Sequence, residues 1–544
     1  METFKWGKQT LATLSTGLYA NPFFIYREYV QNAADAIEEA IDKGLITRDA
    51  AQILLDVDAE KREITIRDNG VGVERSRVAA TLGNIGDSQK KADSCIGRFG
   101  IGRMGGLGYC EKLIFETSAY GDDTKSVVEC DAKKLRDALG SPDVTDDASA
   151  IWLSIVNTRE EPVDRNERFF TVKLLGVYES HDELLDVDEV RKYLSQVAPV
   201  PFTSLFARRD KIKKFCAENE FELREYALFL NGDEVFKCYT DPFDDPCNGK
   251  IAKVEVRDVQ CGILEENGQC WGWYWYGETD FDGALHKYCL QKGLRLRQWN
   301  VQIGESDCLN QAKGWPEERG NNYFIGEIHA NPKKLNPNAR RDYFIQDDNC
   351  RVFERQLQKF FRELTPIYRV ASERRACDKK IEAGRRAQEE YERQESQGFF
   401  DRQAEEKARQ ERDSKLAAAQ KAQKEREKLE RKCLEAAETS GTPSETPTRR
   451  TLRNIVERAT KVATPPPPLP QPVRLIVETS AKQDAANAPS KPPVTPSRSQ
   501  YWIDAFEPGE RRILEIVQKV LKASLKESEA DKIWSKITQK ITEQ

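Results

Sequence analysis

The sequence predicts an α/β protein with three parts: a layered α/β sandwich at the N-terminus, an α+β middle region, and a helical C-terminal tail carrying a disordered linker. Three observations support this. YREYVQNAADAI at 26–37 spaces its apolar residues with helical period, while QILLDV at 52–57 and EITIR at 63–67 alternate as strands do. Helical patterns precede that hairpin and further strands follow it, which suits a layered sandwich of mixed strand direction. Beyond about residue 365 the chain becomes dense in Glu, Lys, Arg, Gln and Ala, with few branched apolar residues.

The elements follow in order. Residues 1–160 are read as the first domain, with helices at 4–19 and 22–43. The strands at 52–57 and 63–67 are joined by the polar turn Asp58–Arg62. Further strands are expected at Lys112–Ser118, Ser126–Cys130 and Ile151–Val156. Residues 161–365 are read as a second domain. Its helices are placed near Glu189–Gln196 and Arg351–Glu363, and its strands at Ala252–Arg257, Gly272–Tyr276, Leu294–Gln298 and Phe324–His329. Within it, CWGWYWYG sets Trp271, Trp273 and Trp275 on one strand face and Tyr274 and Tyr276 on the other. A buried strand is favoured over an exposed aromatic face.

Residues 366–438 predict a long charged helix or weak coiled coil, breakable at Gly398-Phe399-Phe400. Residues 439–500, with TPPPPLPQP at 464–472, predict a Pro/Ser/Thr-rich disordered linker. Residues 501–544 predict a helical hairpin from two stripes, Ile513, Ile516, Val517, Val520, Leu521 and then Ile533, Trp534, Ile537, Ile541.

Composition narrows the function classes. The 544 residues suffice for two or three domains, and the net charge of -6 argues against a DNA-coating protein. No apolar run approaches the roughly 20 residues of a membrane span. The start lacks the apolar core of a signal peptide, so a cytoplasmic protein with no membrane role is expected. The 13 cysteines include no CxxC pair, and Cys238, Cys247, Cys261, Cys270 and Cys289 are expected to be core thiols rather than a metal site.

Glu28, Asn32 and Asp35 are spaced by four and three residues. At about 100° per residue they fall within an arc of roughly 60°. Val30, Ala33, Ile37 and Ile41 lie opposite. ITIRDNGVGV follows, ending in Asp68, Gly70 and Gly72. Then comes GRFGIGRMGG, with Gly97, Phe99, Gly100, Ile101 and Gly102. Carboxylate, amide and glycine-rich loops in that order suit a Mg-nucleotide site.

These motifs resemble the ATPase superfamily of DNA gyrase, heat-shock 90 chaperones, histidine kinases and MutL, known as GHKL, and especially the HtpG-like chaperone branch. EYVQNAADA resembles its ELxSNASDA helix. DNGVGVERSRVAATLGNIGDS, from Asp68 to Ser88, resembles its DxGIG…NLGTIAKS run. GRFGIG resembles its GQFGVG hinge, and LNPNARRD at 335–342 resembles LPLNVSRE of the chaperone middle domain. The likeness covers residues 1 to about 365. Thr81 and Asp87 depart from the family's asparagine and lysine, the stretch between Ser88 and Gly97 is short, and the usual C-terminal dimerisation domain is not recognisable.

The resemblance implies a Bergerat-type α/β sandwich that binds ATP and Mg2+, followed by a transducer-like middle domain. Glu28 would be the general base for the attacking water, and Asn32 would offer its carbonyl oxygen to Mg2+. Asp35 would support the site, and Asp68 would accept from the adenine amine. Gly70 and Gly72 would let the backbone approach the base, and Gly97, Phe99, Gly100, Ile101 and Gly102 would cradle phosphate. Ser88 and Ser149 would be further nucleotide contacts. Arg341, with Arg340 as its competitor, would reach the γ-phosphate from the middle domain.

Two functions stay open. One is an ATP-driven clamp, a homodimer acting on protein clients. The other is a nucleic-acid-associated switch of the microrchidia or MutL kind, to which KGLRLRQ at 292–298 would lend basic contacts. The nucleic-acid reading is not favoured. His181, His286 and His329 lack the context of a kinase phosphoacceptor.

Overall fold

In the computed structural model the described residues are 8–15, 21–83, 102–142, 144, 147–247, 250–281, 283–311, 315, 317–438 and 446–462. Helices α1 (Lys8–Ser15) and α2 (Phe24–Asp42) lead into the hairpin β1 (Gln52–Asp58) and β2 (Glu63–Asp68). The remaining strands of the first sheet are β3 (Cys110–Ser118), β4 (Thr124–Asp131), β5 (Val156–Pro162), β6 (Phe169–Val177), β7 (Ala227–Leu230) and β8 (Asp233–Glu234). Their order is β5-β4-β3-β6-β2-β1-β7-β8, antiparallel except where β1 pairs with β7. The sheet therefore runs past residue 160. β6 lies between β2 and β3, and β7 extends the far edge.

Helix α2 lies on this sheet. Its Val30, Ala33 and Ile37 join Ile53, Leu55, Ile64, Ile66, Leu113 and Leu174 in one core. Each fully buried Val or Ile contributes about 1.5–3 kcal/mol. The opposite side of α2 is buried as well, because chain from beyond residue 220 covers it. Glu38 accepts hydrogen bonds from Arg48 and Tyr226 there, and the Arg224 guanidinium stacks over Trp299.

One expected strand is a helix. Residues 151–155 belong to α4 (Ala148–Ile155), which follows α3 (Ala132–Gly140). Asp147 caps α4 by accepting from the Ala150 N–H, and the strand starts only at Val156. A local cap outcompetes the β-branched pattern of Ile151–Val156.

Helices α5 (Val187–Val197) and α6 (Arg209–Glu218) lead to the hairpin β9 (Phe243–Cys247) and β10 (Lys250–Val254). The second sheet holds β11 (Asp258–Glu266), β12 (Gln269–Glu278), β13 (Gly293–Gln298), β14 (Val301–Gln302) and β15 (Ile325–Ala330), in the order β11-β12-β15-β13-β14. The short helix α7 (Cys308–Gln311) precedes β15. The aromatic run lies in β12 and is buried on both faces: Trp275 meets Phe206 and Trp273 meets Phe215, while Tyr274 and Tyr276 meet Phe360.

A charge cluster holds this sheet together. Glu327 is fully buried and accepts from Lys237 Nζ at 2.7 Å, Trp275 Nε1 at 3.2 Å and His329 Nε2 at 3.0 Å. Arg297 Nε lies 2.5 Å from it. Arg297 also donates to the carbonyls of Gln196 and Asn300, and Arg295 to Gln302 and the Leu290 carbonyl. The arginines of KGLRLRQ are therefore structural, which corrects the expectation that this segment reaches phosphates. In a buried strand their charge is compensated internally.

Helix α8 (Asp348–Gln397) begins in the second core and projects beyond it. It turns at Gly398 (φ +81°) into α9 (Arg402–Glu438). The charged region is thus an antiparallel hairpin of two helices. Arg426 Nη1 donates to Asp378 at 2.9 Å, the Arg412 guanidinium stacks on Tyr391, and Gly384 meets Ala419. The linker expectation fails at 447–462. There α10 (Pro447–Val462) docks through Leu452 and Ile455. Thr451 donates to the buried carboxylate of Glu278 at 2.8 Å, and Asn454 to its other oxygen at 3.2 Å. Apolar residues three apart let this short stretch fold where the proline-rich sequence after it gives no such pattern. The polyproline stretch and the 501–544 hairpin lie outside the described residues.

Two outcomes are expected. Burial, against the pull of Glu327, pushes the His329 imidazole down to about 4. Between about pH 6.5 and 4 the unfolded chain takes up a proton that the folded chain refuses. Stability is therefore fully present above that window and falls by up to about 3 kcal/mol as pH drops through it. His329→Gln should flatten urea-unfolding stability across this range; a wild-type profile already flat there contradicts the assignment. A methyl on Gly384 would lie 2.6 Å from the Ala419 methyl. Gly384→Leu should therefore cost about 1–3 kcal/mol by overpacking, read as a lower unfolding midpoint; an unchanged midpoint contradicts the close approach.

Candidate active site

Helix α2 presents Glu28 and Asp35 as buried carboxylates, with Asn32 half-buried between them. Spacing places all three along one side of α2, as expected. Strand β2 delivers Asp68, also buried, to the same helix. The Gly70 N–H donates to Asp68 Oδ1 at 2.9 Å, and the Val71 N–H donates to the Ala36 carbonyl at 3.1 Å. The turn after β2 is thereby stitched to α2. A Cβ on Gly70 would lie 2.6 Å from the Ala36 carbonyl carbon, and one on Gly72 (φ +66°) would collide with the Ser118 carbonyl. Both positions require glycine for close backbone approach.

The far end of the glycine-rich segment, Gly102–Gly108, is a tight helical turn against α2. A Cβ on Gly102 would collide with Glu28 Oε2, so glycine here brings the turn directly onto this carboxylate. Met104 and Leu107 anchor the turn in the first core. Thr81 is half-buried in the turn Ala79–Gly83. Ser88, Gly97, Phe99, Gly100, Ile101 and Asp87 lie outside the described residues. Ser149 is exposed on α4.

The second region reaches Glu28 through a loop. Leu335 and Phe344 are buried in the second core, and between them the chain folds back on itself. The Asn338 N–H donates to the Tyr343 carbonyl at 3.0 Å, and Ile345 N–H to Asn336 at 2.7 Å. At the tip Arg341 adopts φ +53°, its carbonyl accepting from the Gly304 N–H at 2.8 Å. Its side chain is buried, with Nε 3.9 Å from Glu28 Oε1. Arg340 points outward and is exposed. Of the two competing arginines, Arg341 is the one at the carboxylate.

Two neighbours of Glu28 escaped sequence reasoning. The Arg27 guanidinium is buried over the Phe24 ring at 4.0 Å, with Nη2 3.5 Å from Glu28 Oε1 and 3.4 Å from the Arg340 carbonyl. Tyr29 is buried, and its hydroxyl meets the Gly102–Gly108 turn. The only linear signal for either is adjacency to Glu28, and for Tyr29 a hydroxyl where ELxSNASDA has leucine.

Residues 25–149 match the family model described as "Histidine kinase-, DNA gyrase B-, and HSP90-like ATPase". The chain is 31% identical over 290 residues to the chaperone protein HtpG of Salmonella typhimurium, covering 47% of this chain and 42% of the relative. It is 30% identical over 214 residues to HtpG of Burkholderia ambifaria, covering 35% and 30%. The chain thus spans less than half the length of the curated relatives it matches. Among the described residues no helix is long and apolar enough to cross a membrane. Residues 25–149 are thus similar to the ATPase domain shared by histidine kinases, DNA gyrase B and HSP90, and over a longer stretch the chain is similar to HtpG.

Proposed function

We propose that this protein binds Mg-ATP in its N-terminal domain, hydrolyses it, and couples hydrolysis to closure of the second domain, as an HtpG-like clamp acting on protein clients and working as a homodimer. One observation carries this reading. Glu28 is approached from both sides, by the Gly102 turn of its own domain and by Arg341 of the second.

The residues present fit the substrate. Arg27 Nε and Nη1 are buried and lack hydrogen-bond partners among the described residues, so cationic donors stand ready beside Glu28 for phosphate oxygens. Asn32 supplies a neutral amide oxygen between two carboxylates, a donor suited to Mg2+. Bound there, the ion would neutralise phosphate charge. Gly70 and Gly72 let the turn after β2 pack closely on Ala36 and Ser118, which fixes Asp68 where it could accept from a base.

Hydrolysis then follows from the residues. Glu28 accepts a proton from water as the water oxygen attacks the γ-phosphorus. The bond from that phosphorus to the β–γ bridging oxygen breaks, leaving ADP and inorganic phosphate. Arg341 stabilises charge on the transferring phosphoryl group. Because Arg341 belongs to the second domain, ATP favours whichever domain arrangement brings the arginine in. The shift is limited by ATP's differential affinity for the closed state.

The nucleic-acid reading loses its main basic segment, since Arg295 and Arg297 are buried. ATPase activity stimulated by protein clients, and insensitive to added DNA or RNA, is the behaviour this proposal requires.

Glu28→Gln should lower turnover by about 100-fold or more while leaving Mg-ATP affinity, read by calorimetry, within about threefold. Full turnover in this variant contradicts the assigned base. Asp68→Asn should erode the preference for ATP over GTP; unchanged discrimination removes Asp68 from base recognition.

A further inference from the structure

We propose that Tyr29 is a positioning residue for hydrolysis. Its hydroxyl bridges the Arg103 carbonyl and the Gly106 N–H, fixing the Gly102–Gly108 turn on α2 so that Gly102 closes against Glu28. The inference deepens the ATPase reading and rests on it.

The geometry is specific. Tyr29 is 2% exposed. Its hydroxyl donates to the Arg103 carbonyl at 3.0 Å and accepts from the Gly106 N–H at 2.9 Å. A phenolic hydroxyl has one proton to give, so the arrangement requires it to stay neutral. Burial raises the Tyr29 phenol well above its ordinary range, which keeps that proton in place. Both backbone groups belong to the Gly102–Gly108 turn, so one hydroxyl ties two points of that turn to α2.

Neighbouring contacts divide the labour. Cys110 Sγ donates to the Gly106 carbonyl at 3.2 Å, and Arg136 Nη2 to the Gly108 carbonyl at 3.1 Å. These hold the end of the turn that leads into β3. Tyr29 reaches Arg103, which adjoins Gly102, from the helix position immediately after Glu28. The carboxylate and the group that fixes its cover are thus set by the same helical turn. A Cβ on Gly106 would lie 2.5 Å from the Tyr29 hydroxyl, so glycine at 106 is the other half of the device. The leucine found here in the chaperone motif has no hydroxyl, so this chain uses a means of its own.

The test compares wild type, Tyr29→Phe and Gly106→Ala as full-length proteins. Turnover is divided by nucleotide bound, with Mg-ATP affinity measured by calorimetry. Phenylalanine keeps the ring and removes both hydroxyl contacts. Turnover per bound nucleotide should fall about tenfold, the scale of one to two lost hydrogen bonds. Affinity should stay within about twofold of wild type, because the ATP-contacting side chains are untouched. Gly106→Ala, which leaves the tyrosine but pushes it off the turn, should show the same signature and decides the matter if Tyr29→Phe does not fold. The double variant should lose much less than the product of the two single losses, since removing the hydroxyl makes room for the methyl. If either folded single variant turns over bound nucleotide at the wild-type rate, Tyr29 is a packing residue and the proposal is overturned. A wild-type protein that binds no Mg-ATP would instead overturn the ATPase reading itself.

Discussion

A carboxylate taken out of water must be paired, or it costs several kcal/mol. Glu28 is such a carboxylate, and the chain meets the demand from two directions. Arg27 supplies one guanidinium from the same helix, and Arg341 another from more than three hundred residues further on. Burying Glu28 therefore ties the two domains together. Glycine at 102 lets the turn lie directly against this carboxylate.

The second domain carries that distant arginine. Its sheet is centred on Glu327, whose charge is shared among Lys237, Arg297 and His329. Burial alone would raise Glu327, but Arg297 and Lys237 outweigh it and hold the carboxyl well below its usual range. From this cluster Lys237 donates to Asn300, whose amide in turn donates to the Arg224 carbonyl. Arg224 stacks on Trp299 and lies 3.7 Å from Glu38 of α2. Asn300 and Arg224 thus link this cluster to α2.

Much of this was legible in the sequence, for identifiable reasons. Glu28, Asn32 and Asp35 could be grouped because helical geometry fixes residues three and four apart on one side. The hairpin of β1 and β2 could be read because alternation forces its register. Arg341 could be singled out only through resemblance, since no local pattern links residue 341 to residue 28. What escaped reading depended on tertiary contact. The stretch at 151–155 has strand-like residues but is captured by the Asp147 cap. Helix α10 looked like linker because its docking surface, Glu278 and Tyr276, lies some 170 residues away in sequence. The basic segment at 292–298 reads as a phosphate contact because the carboxylate that pairs with Arg297, Glu327, is on a different strand. Tyr29 draws no reading of its own, because only the fold brings Arg103 and Gly106 to its hydroxyl.

The most direct test of the account compares Arg341→Ala with Arg340→Ala in steady-state ATP turnover by the full-length protein. Arg341→Ala should lose about 100-fold or more, as expected for removing a preorganised charge at the reacting group, while Arg340→Ala stays within about twofold of wild type. Wild-type turnover in Arg341→Ala, or a larger loss in Arg340→Ala, would contradict the claim that the second domain completes the site at Glu28.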